Sequence, residues 1–186
     1  TTTQTATVDK VWTVTQELPN ELRIAMGKPS VEGWHTYTGA AGTVMALYRL
    51  VYDPLVGQTN DGQDSKETGV AEDWEMSPDG STWTFYLREG VKFQNGDDLT
   101  AEDVKFTIDL VTSEDSTAPF KGSLAGVMDS VDVVDPYTVR FNMSSPYVFM
   151  PWLLSDADAG LAYILPKNYI DANGLDYFWS NPIGSG

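Results

Sequence analysis

The chain has 186 residues, 41% of them hydrophobic and 12% aromatic, which points to a packed protein of one domain or two small lobes. Its 27 Asp and Glu against 11 Lys and Arg give a formal net charge of −16, a surface that repels nucleic acid and anionic lipid and suits an exported or salt-exposed protein. Without cysteine there is no disulfide, thiolate metal site, cysteine nucleophile or lipidated N-terminal cysteine in the chain as it stands, and no apolar run is long enough to cross a bilayer.

Residues 1–20 are Thr-rich and weakly patterned, and read as a frayed leader. They lack the basic start and apolar core of a signal peptide, as in a mature or engineered start. "ELRIAM" alternates Leu22, Ile24 and Met26 and predicts a strand over 21–26. "GKPSVEGWHTYTGAAG" is a loop of Gly and small polar residues. From Thr43 the period changes. Val44, Leu47, Tyr48 and Val51 share one helical face, and Asp53-Pro54 ends it because the residue before proline leaves the α region. Residues 57–69 read as a polar surface loop.

"SPDGSTWTFYLREGVKFQNG" (77–96) is the most structured-looking stretch. Pro78-Asp79-Gly80 turns the chain, and a strand over 82–88 sends Trp83, Phe85 and Leu87 to one face. Glu89-Gly90 turns it again, Val91 and Phe93 return it, and Asn95-Gly96 closes another tight turn. Thr100 is a helix N-cap with Asp103 placed for a capping box, followed by an inner stripe of Val104, Ile108 and Val111. "VDVVDPYTVRFNM" predicts a hairpin turned at Asp135-Pro136, with Tyr137, Val139, Phe141 and Met143 alternating. Residues 145–170 mix a short helix, a loop and a strand, and Pro166 and Pro182 punctuate the end.

Catalytic chemistry is sparse. His35 is the only histidine, no nucleophile motif accompanies it, and one His without Cys argues against zinc. Asp156 and Asp158, next to Trp152, are the most suggestive carboxylate pair for a hydrolase; solvated loop acids or helix-end caps explain them far more simply. "TNDGQDSKE" lacks the spacing of a calcium loop, and no phosphate loop or dinucleotide fingerprint occurs. No cofactor is expected. Aromatics alternating on a strand are usually core, since full burial of each ring is worth about 1.5–3 kcal/mol. The loop aromatics Trp34, Tyr37, Phe120 and Trp152 are better placed to face a ligand, although packing of loops on the core accounts for any one of them as well.

The order of these motifs resembles the peptide/nickel family of ABC-transporter solute-binding proteins, family 5, the extracytoplasmic receptors of the dipeptide- and oligopeptide-binding type. The family pattern is matched by Ala71, Trp74, Ser77, Asp79, Gly80, Trp83, Phe85, Leu87, Arg88, Gly90, Val91, Lys92, Phe93, Asn95, Gly96, Leu99, Thr100, Ala101, Asp103 and Val104. "ILPKNYI" and "NPIGSG" extend the likeness, which covers about residues 21–186. The resemblance implies a mixed α/β (α+β) fold like the type II periplasmic binding proteins, here incomplete. Its implied parts are a leader (1–20), a first segment of lobe I (21–54), a β-rich subdomain (55–163) and a return segment (164–186). The family is more than twice this long, so the chain reads as an N-terminal fragment without the second ligand-binding lobe.

The implied function is that of a receptor rather than an enzyme. Two lobes close on a peptide or other small solute and deliver it to a membrane permease. The resemblance places the receptor in the periplasm or outside the cell, without nucleic acid and without direct membrane insertion. It maps the cleft-facing loop to Trp34–Gly39, with Tyr37, Thr38 and Gly39 best placed and Trp34 or Tyr37 packing on the ligand; Phe120, Trp152 and Asp156 follow. A non-transport sensor or adhesin of the same fold is the alternative. A half-cleft implies very weak binding and an exposed lobe surface prone to self-association.

Overall fold

The computed structural model describes residues 7–8, 10–11, 48–118, 121–155 and 163–186. The strand expected at 21–26, the loop with His35, and the first turns of the helix expected from Thr43 lie outside them. Within the segment read as a leader, β1 (Thr7–Val8) pairs antiparallel with β2 (Lys10–Val11), so the β-branched Thr and Val there form a minimal ladder.

Of the expected helix, the last turn is described. The N–H groups of Val51 and Tyr52 donate to the Tyr48 carbonyl at 2.9 and 2.8 Å, and the chain is extended by Pro54. The polar stretch after it is not wholly a loop: β3 (Gly57–Gln58) and β4 (Asp64–Ser65) form a second two-residue ladder, joined by a turn in which the Gly62 N–H donates to the Thr59 carbonyl.

The centre is a four-stranded antiparallel sheet in the order β5-β6-β8-β7, built from β5 (Ala71–Met76), β6 (Thr82–Leu87), β7 (Met128–Asp135) and β8 (Thr138–Met143). Its period-2 alternation is sharp on β6. Trp83, Phe85 and Leu87 are buried, while Tyr86 between them is exposed. Val139, Phe141 and Met143 repeat this on β8. Across the ladder, Phe85 meets Phe141 edge-on at 5.3 Å and lies 6.2 Å from both Trp74 and Trp83. The opening turn is fixed locally. Asp79 Oδ1 accepts from Ser77 Oγ, Ser81 N and Ser81 Oγ, and Gly80 takes φ +70°, which glycine adopts without steric cost. Val91 and Phe93 return the chain as expected, as a tight loop bridged at Lys92–Asp98 rather than as a strand.

Helix α1 (Ala101–Thr112) covers the inner face of the sheet. Its stripe of Val104, Ile108 and Val111 is buried in one cluster with the sheet aromatics, Leu55, Val56, Leu124, Met150, Leu153 and Ile164. Asp103 Oδ2 accepts from both Thr100 N (2.9 Å) and Thr100 Oγ1 (3.0 Å), the reach-back half of a capping box. Short helices α2 (Lys121–Ala125) and α3 (Met150–Leu153) flank the hairpin.

A second apolar cluster lies where three extended segments meet. Tyr48, Tyr52 and Tyr163 pack with their ring centroids 6.1–6.2 Å apart, against Leu165, Ile170, Phe178 and Trp179. The last four come from the stretch after Tyr163, where α4 (Lys167–Asn173) and α5 (Leu175–Ser180) were not anticipated. Pro166 does not stop structure there: it is the N-cap of α4, where its missing N–H costs no helical bond. Pro54 bridges Tyr163, Ile164 N donates to Asp53 O, and Gly186 N donates to Val51 O. Gln94 adds a side-chain clamp, its Oε1 accepting from Gly184 N and its Nε2 donating to Gly186 O, at 2.9 and 3.1 Å.

Candidate functional site

Of the ligand-facing residues expected from sequence, Trp34, Tyr37, Thr38, Gly39, Phe120 and Asp156 lie outside the described residues, as does Asp158. Trp152 is described. It sits on α3, whose Met150, Pro151 and Leu153 are buried in the main core; with those turned inward, Trp152 is directed outward and is 41% exposed.

Trp152 is not alone. Val148 and Phe149 are 59% and 62% exposed, and Phe149 meets Tyr147 edge-on at 6.1 Å. Three apolar side chains thus form an exposed ledge on a stiff base. The Trp83 indole N–H donates to the Tyr147 carbonyl at 2.8 Å and ties the segment to β6. At the far end Ser155 Oγ donates to the Trp152 carbonyl at 2.7 Å and accepts from Gln58 Nε2 at 3.1 Å. Ser155 is fully buried and bridges Val56. Val148 and Phe149 were missed from sequence. The signal was present in "VFMPWLL", where assigning Met150, Pro151 and Leu153 to the core leaves 148, 149 and 152 outward.

Tryptophans 83 and 74 and Phe85 take no part in a surface platform. Trp83 and Phe85 are buried, and Trp74 packs on them. The outer face of the sheet is polar instead. Glu75, Thr84, Arg140 and Asp132 stand opposite one another in one row across β5, β6, β8 and β7. A shallow concavity of about 380 Å³ opens there, lined in part by Glu75, Thr84, Arg140 and Asn142. Glu75 is engaged there, accepting from Tyr86 OH at 2.7 Å, and Asp132 in the same row accepts from Asn142 Nδ2 at 2.7 Å. A smaller hollow of about 210 Å³ lies beside Phe106 and Leu110 on α1, rimmed by Lys105, Asp109 and Lys167.

Electrostatics separates two kinds of acid. Burial pushes the Asp103 carboxyl up, against the bonds it accepts from Thr100 and Lys167. Asp79, exposed at its turn, is held down to about 2 by hydrogen bonds, chiefly from the Ser77 hydroxyl. Burial raises the Tyr48 phenol to about 12 and pushes Tyr52 higher still, so both rings are neutral packing elements. Among the described residues no group of acids or histidine is arranged to hold a metal ion, and no helix is long and apolar enough to cross a membrane.

Comparison with known proteins gives this arrangement a context. Residues 67–186 match the model of the bacterial extracellular solute-binding proteins, family 5 Middle. The dipeptide-binding protein of Escherichia coli K12 is 31% identical over 202 residues, covering 94% of this chain and 36% of that one. The HTH-type transcriptional regulator SgrR of Salmonella typhi is 30% identical over 141 residues, covering 75% and 22%. Among solved structures, the periplasmic binding protein AgaA of A. tumefaciens R10, in complex with agropinic acid, superposes with a TM-score of 0.72 at 27% identity, over 86% of this chain and 30% of that one. The chain therefore spans about a third or less of the length of these relatives. Its mixed α/β fold is that of part of a type II periplasmic binding protein. The motif order read from the sequence and the family match agree, and the chain belongs to the bacterial extracellular solute-binding proteins, family 5.

Proposed function

We propose that this chain is part of the solute-binding receptor of an ABC importer, which captures a peptide or similar small solute by closure of two lobes and hands it to a membrane permease. The observation that carries the reading is the family match over residues 67–186, on a fold shared with a receptor that holds a small molecule. The relatives' names favour small organic solutes, and a dipeptide is the first choice because the dipeptide-binding protein of E. coli is similar over 94% of this chain. The receptor is read as non-catalytic and as working in the periplasm or outside the cell, attached to the membrane through the transporter.

Residues 55–163 are read as the β-rich subdomain and 164–186 as the return to lobe I; in support, the main apolar cluster draws on residues 55–154 and the second on Tyr48, Tyr52 and residues 165–179, with Tyr163 and Ile164 crossing over at the boundary. The ligand contacts are assigned to Trp34, Tyr37, Thr38 and Gly39, with Phe120, Trp152 and Asp156 as secondary candidates. For Trp152 the support is its exposure on a rigid base; an aromatic ring held open by a buried helix is ready to cover an apolar solute group. The exposed ledge at Val148 and Phe149 is where self-association of the isolated chain would begin.

The test is a graft. Residues 67–186 replace the matching segment of the E. coli dipeptide-binding protein, and calorimetry follows dipeptides and longer peptides. The expected result is a cooperative melt with peptide binding retained, weakened at least about tenfold by Trp152→Ala, the usual effect of removing one aromatic anchor. A graft that melts cooperatively yet binds no peptide overturns the reading.

The relationship to SgrR favours one second reading, a solute sensor in which the same fold reports rather than transports. Peptide binding by the graft is common to both readings. Uptake of the labelled peptide by cells carrying the transporter separates them.

A further inference from the structure

The return segment meets α1 through side chains rather than through a ladder. Leu165 N donates to Thr107 Oγ1 at 2.9 Å, and Lys167 N donates to Asp103 Oδ1 at 2.9 Å. Thr107 Oγ1 itself donates to the Asp103 carbonyl at 2.8 Å, and the second carboxylate oxygen of Asp103 accepts from Thr100. Both side chains are buried, Asp103 at 4% exposure and Thr107 at 1%. The contacts join residues 58 and 64 positions apart.

The spacing is a ruler. Four residues of α-helix rise about 6 Å, and two residues of extended chain span about 6.6 Å. Residues 103 and 107 therefore face 167 and 165 in antiparallel order, each acceptor meeting one N–H. Ile164 points its N–H the other way, to Asp53. Between the two donors stands Pro166, which has none. A slip by one residue would place Pro166 opposite an acceptor and strand a buried carboxylate or hydroxyl, at a cost of about 1–3 kcal/mol for each group left unsatisfied. A slip by two would carry Tyr163 off its bridge to Pro54 and out of the ring cluster with Tyr48 and Tyr52.

We infer that Asp103 and Thr107 are positioning residues that lock the register of residues 163–167 on α1 and make the boundary between the two cores a fixed joint. The lock rests on this chain's own geometry. Its consequence, that lobe closure bends the receptor elsewhere, rests on the receptor reading above.

Amide hydrogen exchange on the 186-residue chain tests it without any ligand. In Thr107→Val, which keeps the shape and removes the hydroxyl, exchange at Leu165 should accelerate about tenfold or more, the loss of one buried hydrogen bond. Phe85 and Val139 in the sheet should keep their protection, and Thr107→Ser should restore Leu165. Asp103→Ala, which leaves no side-chain acceptor for the Lys167 N–H, should accelerate Lys167 in the same way, and supplies the second arm if Thr107→Val does not fold. Unchanged exchange at Leu165 and Lys167 overturns the lock. So does acceleration spread equally over Phe85 and Val139, which would make these residues general stabilisers. A graft that binds no peptide would remove the receptor reading and leave the lock standing.

Discussion

The sharpest contrast in the molecule is between two neighbouring residues of β6. Phe85 is fully buried, with Phe141 at 5.3 Å and Trp74 and Trp83 at 6.2 Å, whereas Tyr86 faces solvent from the outer side of the sheet. Phe85→Ala removes a ring from the middle of the main core, and nothing around it can collapse freely because the flanking rings are carried by three strands. The expected loss is about 3–5 kcal/mol, the range for truncating a buried aromatic. That is about a fifth or more of a stability of about 5–15 kcal/mol. Tyr86→Ala gives up one exposed hydrogen bond to Glu75 and should cost about 1 kcal/mol or less. Urea unfolding followed by far-ultraviolet circular dichroism measures both, as a shift in midpoint at constant slope. Equal losses at 85 and 86, or a loss under about 1 kcal/mol for Phe85→Ala, would refute the assignment of these aromatics to a core.

Three further outcomes follow from single contacts. In Gly184→Ala the new Cβ would stand 1.9 Å from the Val51 carbonyl oxygen and 2.7 Å from the Tyr52 ring; a loss of more than about 2 kcal/mol in urea unfolding is expected from this overpacking of backbone. Gln94→Leu keeps the volume and deletes two side-chain bonds to Gly184 and Gly186, for a loss of about 1–3 kcal/mol in the same assay. Asp79 should titrate near pH 2 by carboxyl-carbon NMR, against an ordinary value of 3.8. Because its folded pKa is depressed, its contribution to stability is present above the unfolded pKa and is lost as the pH falls through the folded one; Asp79→Asn should erase that part of the acid dependence.

Much of the fold was legible because its signals are local. The alternation on β6 and β8, the Pro78-Asp79-Gly80 turn and the Thr100–Asp103 cap each lie within a few residues. Strand β5 was missed because Glu72, Asp73 and Glu75 line an edge, and the register shift between Ala71 and Asp73 breaks the period of two. Helices α4 and α5 have 7 and 6 residues, too few turns for a helical period to show, and Pro166 reads as a stop when it is a cap. For the site, Trp152 was legible as an aromatic beside a loop, but its partners Val148 and Phe149 emerge only once the inward residues of α3 are known. The acceptors of the register lock were invisible for a different reason. Asp103 already had a complete local role as a capping residue, and nothing near it in sequence hints at Lys167.

That last case bears on why the stretch from 70 to 104 identifies the family while contributing little to the exposed ledge. Several of the residues that match the family pattern sit where the environment admits few replacements. Gly80 sits at positive φ against the Pro146 ring, Phe85 fills a space closed by three other rings, and Asp103 serves Thr100 and Lys167 at once. Each is fixed by backbone geometry or by packing that any member of the fold must reproduce. An exposed side chain such as Trp152 or Phe149 is under no such constraint, because little of the chain itself packs against it. A pattern made of the first kind of residue therefore reports architecture strongly and ligand weakly. On the receptor reading proposed above, the chemistry that selects a solute is to be sought at outward positions such as Trp152 and in residues 34–39, rather than in the stretch that identifies the family.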